Sequence, residues 1–74
     1  MRISYDHASD AATIYFVDAI GEGGAPRSAM CDLEVREGAV ILLLSNDNRL
    51  LGIEVLGASR ILPREVLLTA EAGG

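Results

Sequence analysis

Apolar and polar residues alternate over several short stretches of the chain, which is the pattern of half-buried β-strands. Runs of four to eight residues bounded by Gly, Asp, Asn and Ser are typical of strands and turns rather than of long helices. The pattern predicts five strands, at residues 2–5, 12–17, 28–35, 39–44 and 50–56. Because the connections between them are short, we expect hairpins and no parallel crossovers.

The pattern changes after Gly57. Pro63 suits the first turn of a helix, and good helix formers follow it, so residues 63–72 predict a short C-terminal helix. Residues 18–27 contain three glycines and a proline and predict a flexible loop. We therefore expect a single domain over residues 1–74, mainly β with an α+β arrangement: a five-stranded antiparallel sheet of hairpins with a short C-terminal helix.

The predicted fourth strand, residues 39–44, is apolar at all six positions. Val40, Leu42 and Leu44 point to one face and the other three residues point to the opposite face. A strand that is apolar on both sides needs cover on both, and the predicted helix can cover only one. We predict a homodimer, in which a second copy packs on the sheet or shares its edge. A small closed or half-closed monomeric barrel is the alternative.

The size of the chain points the same way. At 74 residues the hydrophobic core alone gives little net stability, and small proteins usually add disulfides, a metal or a partner. Cys31 is the only cysteine, which excludes a disulfide within one chain. We expect it to be a buried, reduced thiol in a cytoplasmic protein. With His7 as the single histidine, a four-ligand zinc site is not expected either.

Charge limits the classes of partner. The net charge is −5, and all six basic residues are arginines with no two adjacent. Nucleic-acid binders usually carry a basic patch, so we expect no nucleic-acid partner. Anionic membrane surfaces are disfavoured for the same reason, and the longest apolar run of six residues is far short of the roughly 20 that span a bilayer. A protein with a basic surface would be attracted.

Three carboxylates are the candidate site residues: Asp6, Asp10 and Glu54. Two-fold symmetry would double each of them, so a dimer interface could form a small-ligand or metal site from a sparse set. Glu54 lies between two apolar residues of the fifth strand, where pairing with an arginine across the sheet is the structural alternative.

Other polar residues are better explained as structure. His7, between two aspartates, has no nucleophile at a readable spacing and is predicted to be an exposed turn residue rather than a general base. Asp32 and Glu34 share a strand face and are predicted to be solvated, while Asp47 fits a turn and lacks the twelve-residue calcium pattern. We therefore expect no enzymatic activity, no catalytic residues and no cofactor.

Two stretches of the sequence carry a resemblance to a known family. The first is Ile3-Ser4-Tyr5-Asp6 followed by Ser9-Asp10-Ala11 and an apolar strand. The second is Gly52-Ile53-Glu54-Val55 followed by Ala58-Ser59. Over nearly its full length the chain resembles the bacterial family called domain of unknown function 2283, whose members look like small β-rich proteins without an assigned activity.

The resemblance also implies a role in binding. Some such proteins are thought to be encoded beside small toxin-like ribonucleases, which implies an antitoxin-like function, and the acidic charge of this chain is compatible with it. Two hypotheses result. The first is a homodimeric protein-interaction module without catalytic activity, and the alternative is a small-ligand or metal-binding protein whose site lies at the dimer interface.

Overall fold

Six strands and two short helices make up the part of the chain that the computed structural model describes, which is residues 1–18, 20, 24–31 and 37–72. The strands form one sheet and the helices follow the fifth strand. In chain order the elements are β1 (Arg2–Asp6), β2 (Ala11–Tyr15), β3 (Arg27–Met30), β4 (Ala39–Leu44), β5 (Leu50–Leu56), α1 (Ala58–Ile61), α2 (Arg64–Leu68) and β6 (Glu71–Ala72).

The strand order across the sheet is β3-β4-β5-β2-β1-β6. The first five strands pair antiparallel with their neighbours, and β6 adds a two-residue parallel pairing to β1. The predicted mainly β fold with five antiparallel strands is thus confirmed. The sheet is open, with β3 and β6 at its two edges, so the described strands do not form the closed barrel considered above.

Side-chain chemistry in the turns explains why the hairpins close. Between β1 and β2, the Asp6 carboxylate accepts hydrogen bonds from the Ala8 amide (3.2 Å) and the Ser9 hydroxyl (2.8 Å). Asp10 ends this turn with a φ of 53°, a left-handed conformation that Asp tolerates better than most residues. The local hydrogen bonds hold the chain reversal that brings β2 alongside β1.

The turn between β4 and β5 uses the same kind of chemistry. The Ser45 amide donates to the Arg49 carbonyl at 2.9 Å, and the Asn48 amide donates to the Ser45 carbonyl at 3.0 Å. Asn48 has a φ of 62°, and the Ser45 hydroxyl donates to the Asp47 carboxylate. Residues that tolerate positive φ and that bond their own backbone therefore define this turn, as the sequence predicts.

The register of the strands divides the sheet into two faces, because directly opposite residues share a face. One row runs through Tyr5, Ala12, Val55 and Val40, and we call this side the helix-covered face. The neighbouring row belongs to the opposite side, which we call the second face. It contains Ser4, Thr13, Glu54, Ile41 and Met30.

The core lies on the helix-covered face. Its buried residues are Tyr5, Ala12, Val55 and Ala58. Partly buried side chains of β5 and of the chain beyond it pack against these four, namely Ile53, Ile61, Leu62, Leu67 and Ala70. Both helices therefore help to cover β1, β2 and β5. No residue of β4 belongs to this cluster.

The C-terminal region differs from the prediction of one helix over residues 63–72. A first helix, α1, precedes Pro63, and α2 ends at Leu68. Glu71 and Ala72 then pair with Ser4 and Tyr5 of β1, and Arg2 lies 3.7 Å from the Glu71 carboxylate. Strand pairing thus overrides the helix propensity of the last residues, which is common because propensity is a weak preference.

Two predicted strands also end elsewhere. The second was expected to reach Val17, but β2 ends at Tyr15, which lies opposite Arg2, the first residue of β1. Beyond that point β2 has no strand on one side, and Phe16 and Val17 are exposed. The third strand, predicted over residues 28–35, is described as Arg27–Met30, and residues 32–36 lie outside the described part of the chain.

The loop predicted over residues 18–27 lies only partly within the described residues. Asp18, Ile20 and residues 24–26 belong to no helix or strand, and β3 begins at Arg27, the last residue of the predicted loop. Residues 19 and 21–23 lie outside the description, so the flexibility of this loop stays a prediction.

Candidate functional site

The densest polar cluster in the described residues is centred on the Asp10 carboxylate. The Tyr5 hydroxyl donates to Asp10 Oδ1 at 2.7 Å, and the Ser59 hydroxyl donates to Oδ2 at 2.7 Å. The Ser59 amide also donates to Oδ1 at 2.9 Å. Arg60 Nη1 lies 3.9 Å from Oδ2. A single carboxylate therefore joins β1, the first turn and α1.

Asp10 also provides the cap that α1 lacks. Gly57 is the residue before the helix, has a φ of 71° and has no side chain that could cap the first amides. The Asp10 carbonyl accepts the Ala58 amide at 2.9 Å, and its carboxylate accepts the Ser59 amide. The first amide groups of a helix have no partner within it, so a residue from a distant turn satisfies them here.

The same contacts change the acidity of the two central groups. Hydrogen bonds from Tyr5 and Ser59 lower the pKa of Asp10 below its ordinary value of 3.8, because they favour the charged carboxylate. The hydrogen bond to Asp10 raises the pKa of the Tyr5 hydroxyl above 10.0. Asp10 thus remains ionised and Tyr5 remains protonated across the neutral range. A base that keeps its charge and already accepts these hydrogen bonds is poorly suited to proton transfer.

The other two candidate carboxylates lie elsewhere. Asp6 forms the turn described above, and Glu54 lies on the second face between Thr13 of β2 and Ile41 of β4. Within the described part of the chain no arginine forms an ion pair with Glu54, so the predicted cross-sheet pairing is not seen there. Asp6 and Asp10 flank one turn, whereas Glu54 is on a different strand.

No cluster of three or more His, Cys, Asp or Glu side chains that could hold a metal ion occurs in the described residues. Asp6, Asp10 and Glu54 therefore do not form such a cluster within one chain. A site assembled from two chains stays a prediction.

His7 packs against the ring of Tyr5 and is otherwise exposed. The two ring centroids are 4.5 Å apart with an interplanar angle of 65°, an edge-to-face contact. His7 therefore covers the tyrosine whose hydroxyl binds Asp10. This placement agrees with the prediction of an exposed turn residue. Asp32 and Glu34, also considered above, lie outside the described residues.

A shallow depression of about 440 Å³ lies where the start of β1 meets the end of the chain. It is lined by Met1, Arg2, Ile3, Thr69 and Glu71. The two charged side chains in it face each other as an ion pair at 3.7 Å, and the Arg2 guanidinium also lies 4.1 Å from the centre of the Tyr15 ring. Its charged groups are thus already engaged with one another.

The apolar strand β4 is incompletely covered. All six of its residues are half-buried and none is buried. Because β3 and β5 pair with it on either side, its backbone edges are occupied. The remaining exposure therefore belongs to side chains on the two faces of the sheet. No residue of β4 belongs to the core cluster to which the helices contribute.

The apolar surface continues onto neighbouring strands of the second face. Met30 lies opposite Ile41 and is 68% exposed, and Leu56 lies opposite Ala39 and is 37% exposed. Among the described residues no helix lies on this face, and Ile20 approaches it only near Gly52. Towards β1 the face becomes polar. We call its apolar part, together with β3, the β3–β4 surface.

The edge strand β3 is exposed at all four residues. The sequence predicted that Cys31, just after this strand, would be a buried thiol. Ala29 is exposed and Cys31 is half-buried. The reason is position: β3 is the outermost strand, and the residues that the helices contribute to the core pack on β1, β2 and β5.

Sequence reasoning missed Tyr5, Ser59 and Arg60 as partners of Asp10. Asp10 and Ser59 are 49 residues apart, and spacing along the chain gives no indication of a contact over that separation. One signal was available, since Tyr5, Asp10 and Ser59 all lie in the two stretches that carry the family resemblance. The structure shows that these stretches are in contact.

No helix in the described part of the chain has the length and apolar character needed to cross a membrane. The fold and the Asp10 network define a small, mainly β protein in which one carboxylate locks the first hairpin to a C-terminal helical segment. The family model described as protein of unknown function (DUF2283) matches residues 2–59. The chain belongs to this family. Searches of curated proteins and of solved structures found no significant match.

Proposed function

We propose that this protein is a protein-interaction module that acts as a homodimer and has no catalytic activity. The β3–β4 surface is the region through which two copies associate. The observation that carries the proposal is the half-buried state of every residue of β4. Six consecutive apolar residues with strands on both sides retain side-chain exposure that a second molecule would remove.

The small core supports the same proposal. Among the described residues only Tyr5, Ala12, Val55 and Ala58 are buried hydrophobics, and two of these are alanines. Burial of apolar surface contributes about 25 cal/mol per Å², so a core of this size leaves a 74-residue chain with little margin. If a second copy covered the half-buried aliphatic side chains of β4, the additional buried apolar surface would increase the stability of the fold.

The polar groups also favour binding over catalysis. Asp10 and Tyr5 are held by each other, and Asp6 and Asp47 accept hydrogen bonds within their own turns. These side chains maintain the fold instead of being available to a substrate. The net charge of −5 favours a further protein with a basic surface, in line with the antitoxin-like role implied by the family resemblance. We keep the cytoplasm as the proposed location, since a single cysteine suits a reducing compartment.

The mass of the protein in solution tests the proposal. Light scattering coupled to size exclusion, over a dilution series into the low micromolar range, should give twice the chain mass of 7.8 kDa. The melting temperature should rise with protein concentration, because folding and association are then linked.

A matched pair of variants localises the association. Met30→Lys places a charge on the second face of β3, where Met30 is 68% exposed, and Leu68→Lys places the same charge on α2, where Leu68 is 73% exposed. The first should give the single-chain mass and the second should remain dimeric. A wild-type mass of 7.8 kDa at all concentrations would contradict the proposal.

A further inference from the structure

The hydrogen-bonding groups of β3 divide between its neighbour and its free edge. The Cys31 amide donates to the Val40 carbonyl at 2.8 Å, so residue 31 points its backbone groups toward β4. In an antiparallel ladder this orientation alternates. Ala29 and Arg27 therefore also point theirs toward β4, whereas Ser28 and Met30 point theirs away from it.

The edge beyond Ser28 and Met30 is free within the described residues, since β3 pairs there only with β4. Such an edge is a template for another strand. Proteins often block edges with charged residues, especially lysine, or with proline or a bulge. Residues 27–30 (Arg-Ser-Ala-Met) contain no lysine or proline, and their one charged residue, Arg27, stands at the end of the strand. Pro26 lies just before the strand and limits how a partner strand can be aligned.

We infer that β3 pairs antiparallel with β3 of a second copy, about a two-fold axis that passes through Ala29. This inference rests on the proposed homodimer and specifies its geometry. Directly opposite residues of an antiparallel pair share a face, so the axis must pass through a residue and not between two. It remains to determine which residue of β3 lies on the axis.

Backbone chemistry selects Ala29. With the axis there, Ser28 lies opposite Met30 of the second copy, and every outward amide and carbonyl of these two residues finds a partner. With the axis at Ser28, Met30 would lie opposite Pro26 of the second copy, which has no amide hydrogen to donate. Among the registers whose outward pairs lie within the described residues 24–31, the pairing centred on Ala29 is thus the one in which both outward residues of β3 are satisfied.

The side chains along this seam are compatible with it. Ala29 would face its own copy on the helix-covered side, where its small size permits close approach. On the second face, Met30 would lie beside Ser28 of the other chain. The one charged residue of β3, Arg27, would lie opposite Cys31, so no like charges meet. The two β4 strands would then lie on either side of the paired β3 strands, and the apolar side chains of both copies would belong to one continuous sheet.

Disulfide trapping tests the register directly. At a non-hydrogen-bonded pair the Cα atoms are about 4.5 Å apart, within the range that a disulfide bridges. In a Cys31→Ala background, Ala29→Cys should form a linked dimer under mild oxidation at low micromolar protein. Ser28→Cys and the exposed Leu68→Cys should link more slowly by a factor on the order of ten, since neither residue lies opposite itself.

A mixed experiment guards against a defect in any one variant. Ser28→Cys mixed with Met30→Cys should give a linked heterodimer faster than either variant alone gives a linked homodimer, since these two residues lie opposite each other across the seam. Linking at Ser28→Cys alone, or at neither position in a protein that light scattering shows to be dimeric, would overturn the register and leave the proposed function intact. A monomeric mass for the Cys31→Ala background would overturn both.

Discussion

At the scale of single residues, Asp10 has the largest structural role of the three candidate carboxylates. Its backbone is held at positive φ, its carbonyl accepts the first amide of α1, and its carboxylate accepts hydrogen bonds from Tyr5 and Ser59. A non-glycine residue in this conformation is kept there by its surroundings. The contacts that hold it also connect the beginning of the chain to residues 58–60.

Replacing Asp10 with Asn should lower stability most at neutral pH. The folded-state pKa of Asp10 is lowered, so its stabilising effect is present above its unfolded value of about 3.8 and is lost as the pH falls through the folded value. The difference in urea midpoint between wild type and Asp10→Asn should therefore be largest above pH 5 and should narrow toward pH 2. Unfolding followed by circular dichroism at fixed protein concentration would measure it.

Asp47→Asn is the matched control for this experiment. The Ser45 hydroxyl lowers the pKa of Asp47 as well, so the sign of its pH dependence is the same. Its contacts lie within one exposed turn, with Ser45 and Arg49, whereas Asp10 connects distant elements. The effect of Asp47→Asn should be smaller at every pH. A gap for Asp10→Asn that stays constant from pH 7 to pH 2 would show that its charge does not matter.

At the scale of elements, the close approach of β5 to β2 depends on Gly52. A Cβ atom at this position would lie 2.5 Å from the Ile14 carbonyl oxygen, a distance that real structures do not allow. Because the obstacle is backbone in the next strand, it cannot rotate away. The glycine of the Gly52-Ile53-Glu54-Val55 stretch thus has a steric explanation.

Gly52→Ala should cost about 2–3 kcal/mol of folding free energy, since β2 and β5 must separate to admit one carbon atom. Leu50→Ala, in the same strand, provides the contrast. It removes more atoms from a side chain that is already 41% exposed, and it should cost about 1 kcal/mol. Urea denaturation of both variants would decide, and a smaller loss for Gly52→Ala than for Leu50→Ala would refute the steric explanation.

Local patterns predicted the elements well where turns and alternation act within one hairpin. The bounds of β4 and β5 agree with the prediction residue for residue, and the turn between them has the expected chemistry. The prediction was less accurate where the bounds of an element depend on residues that are distant in the sequence. The end of β2 depends on where β1 begins, and the strand at Glu71–Ala72 exists because β1 offers a free edge there.

At the scale of the whole molecule, the position of the apolar strand β4 follows from the strand order of the sheet, which the sequence alone does not specify. Residues 39–44 were predicted to need cover on both sides, yet the sequence does not specify which strands flank them. The order β3-β4-β5-β2-β1-β6 puts β4 between an exposed edge strand and β5, and no residue of β4 belongs to the core cluster. For the same reason the Asp10 network could not be predicted, since it requires knowing that Ser59 returns to the first turn.

Proline substitutions along β3 should separate folding from association, because alternate residues of this strand point their amides in opposite directions. Ser28→Pro and Met30→Pro remove only amides directed to the free edge, where proline is tolerated. Both should keep the wild-type circular dichroism spectrum and give the single-chain mass by light scattering. Ala29→Pro removes an amide directed at β4 and should lose folded structure instead.

The three variants differ in whether the amide that proline removes points to the free edge or to β4. Adjacent positions with the same substitution should give opposite defects, one in assembly and one in folding, which a general sensitivity of β3 to proline would not produce. If Ser28→Pro and Met30→Pro both fold and remain dimeric, the free edge is not the contact. The half-buried side chains of β4 would then meet their partner face to face.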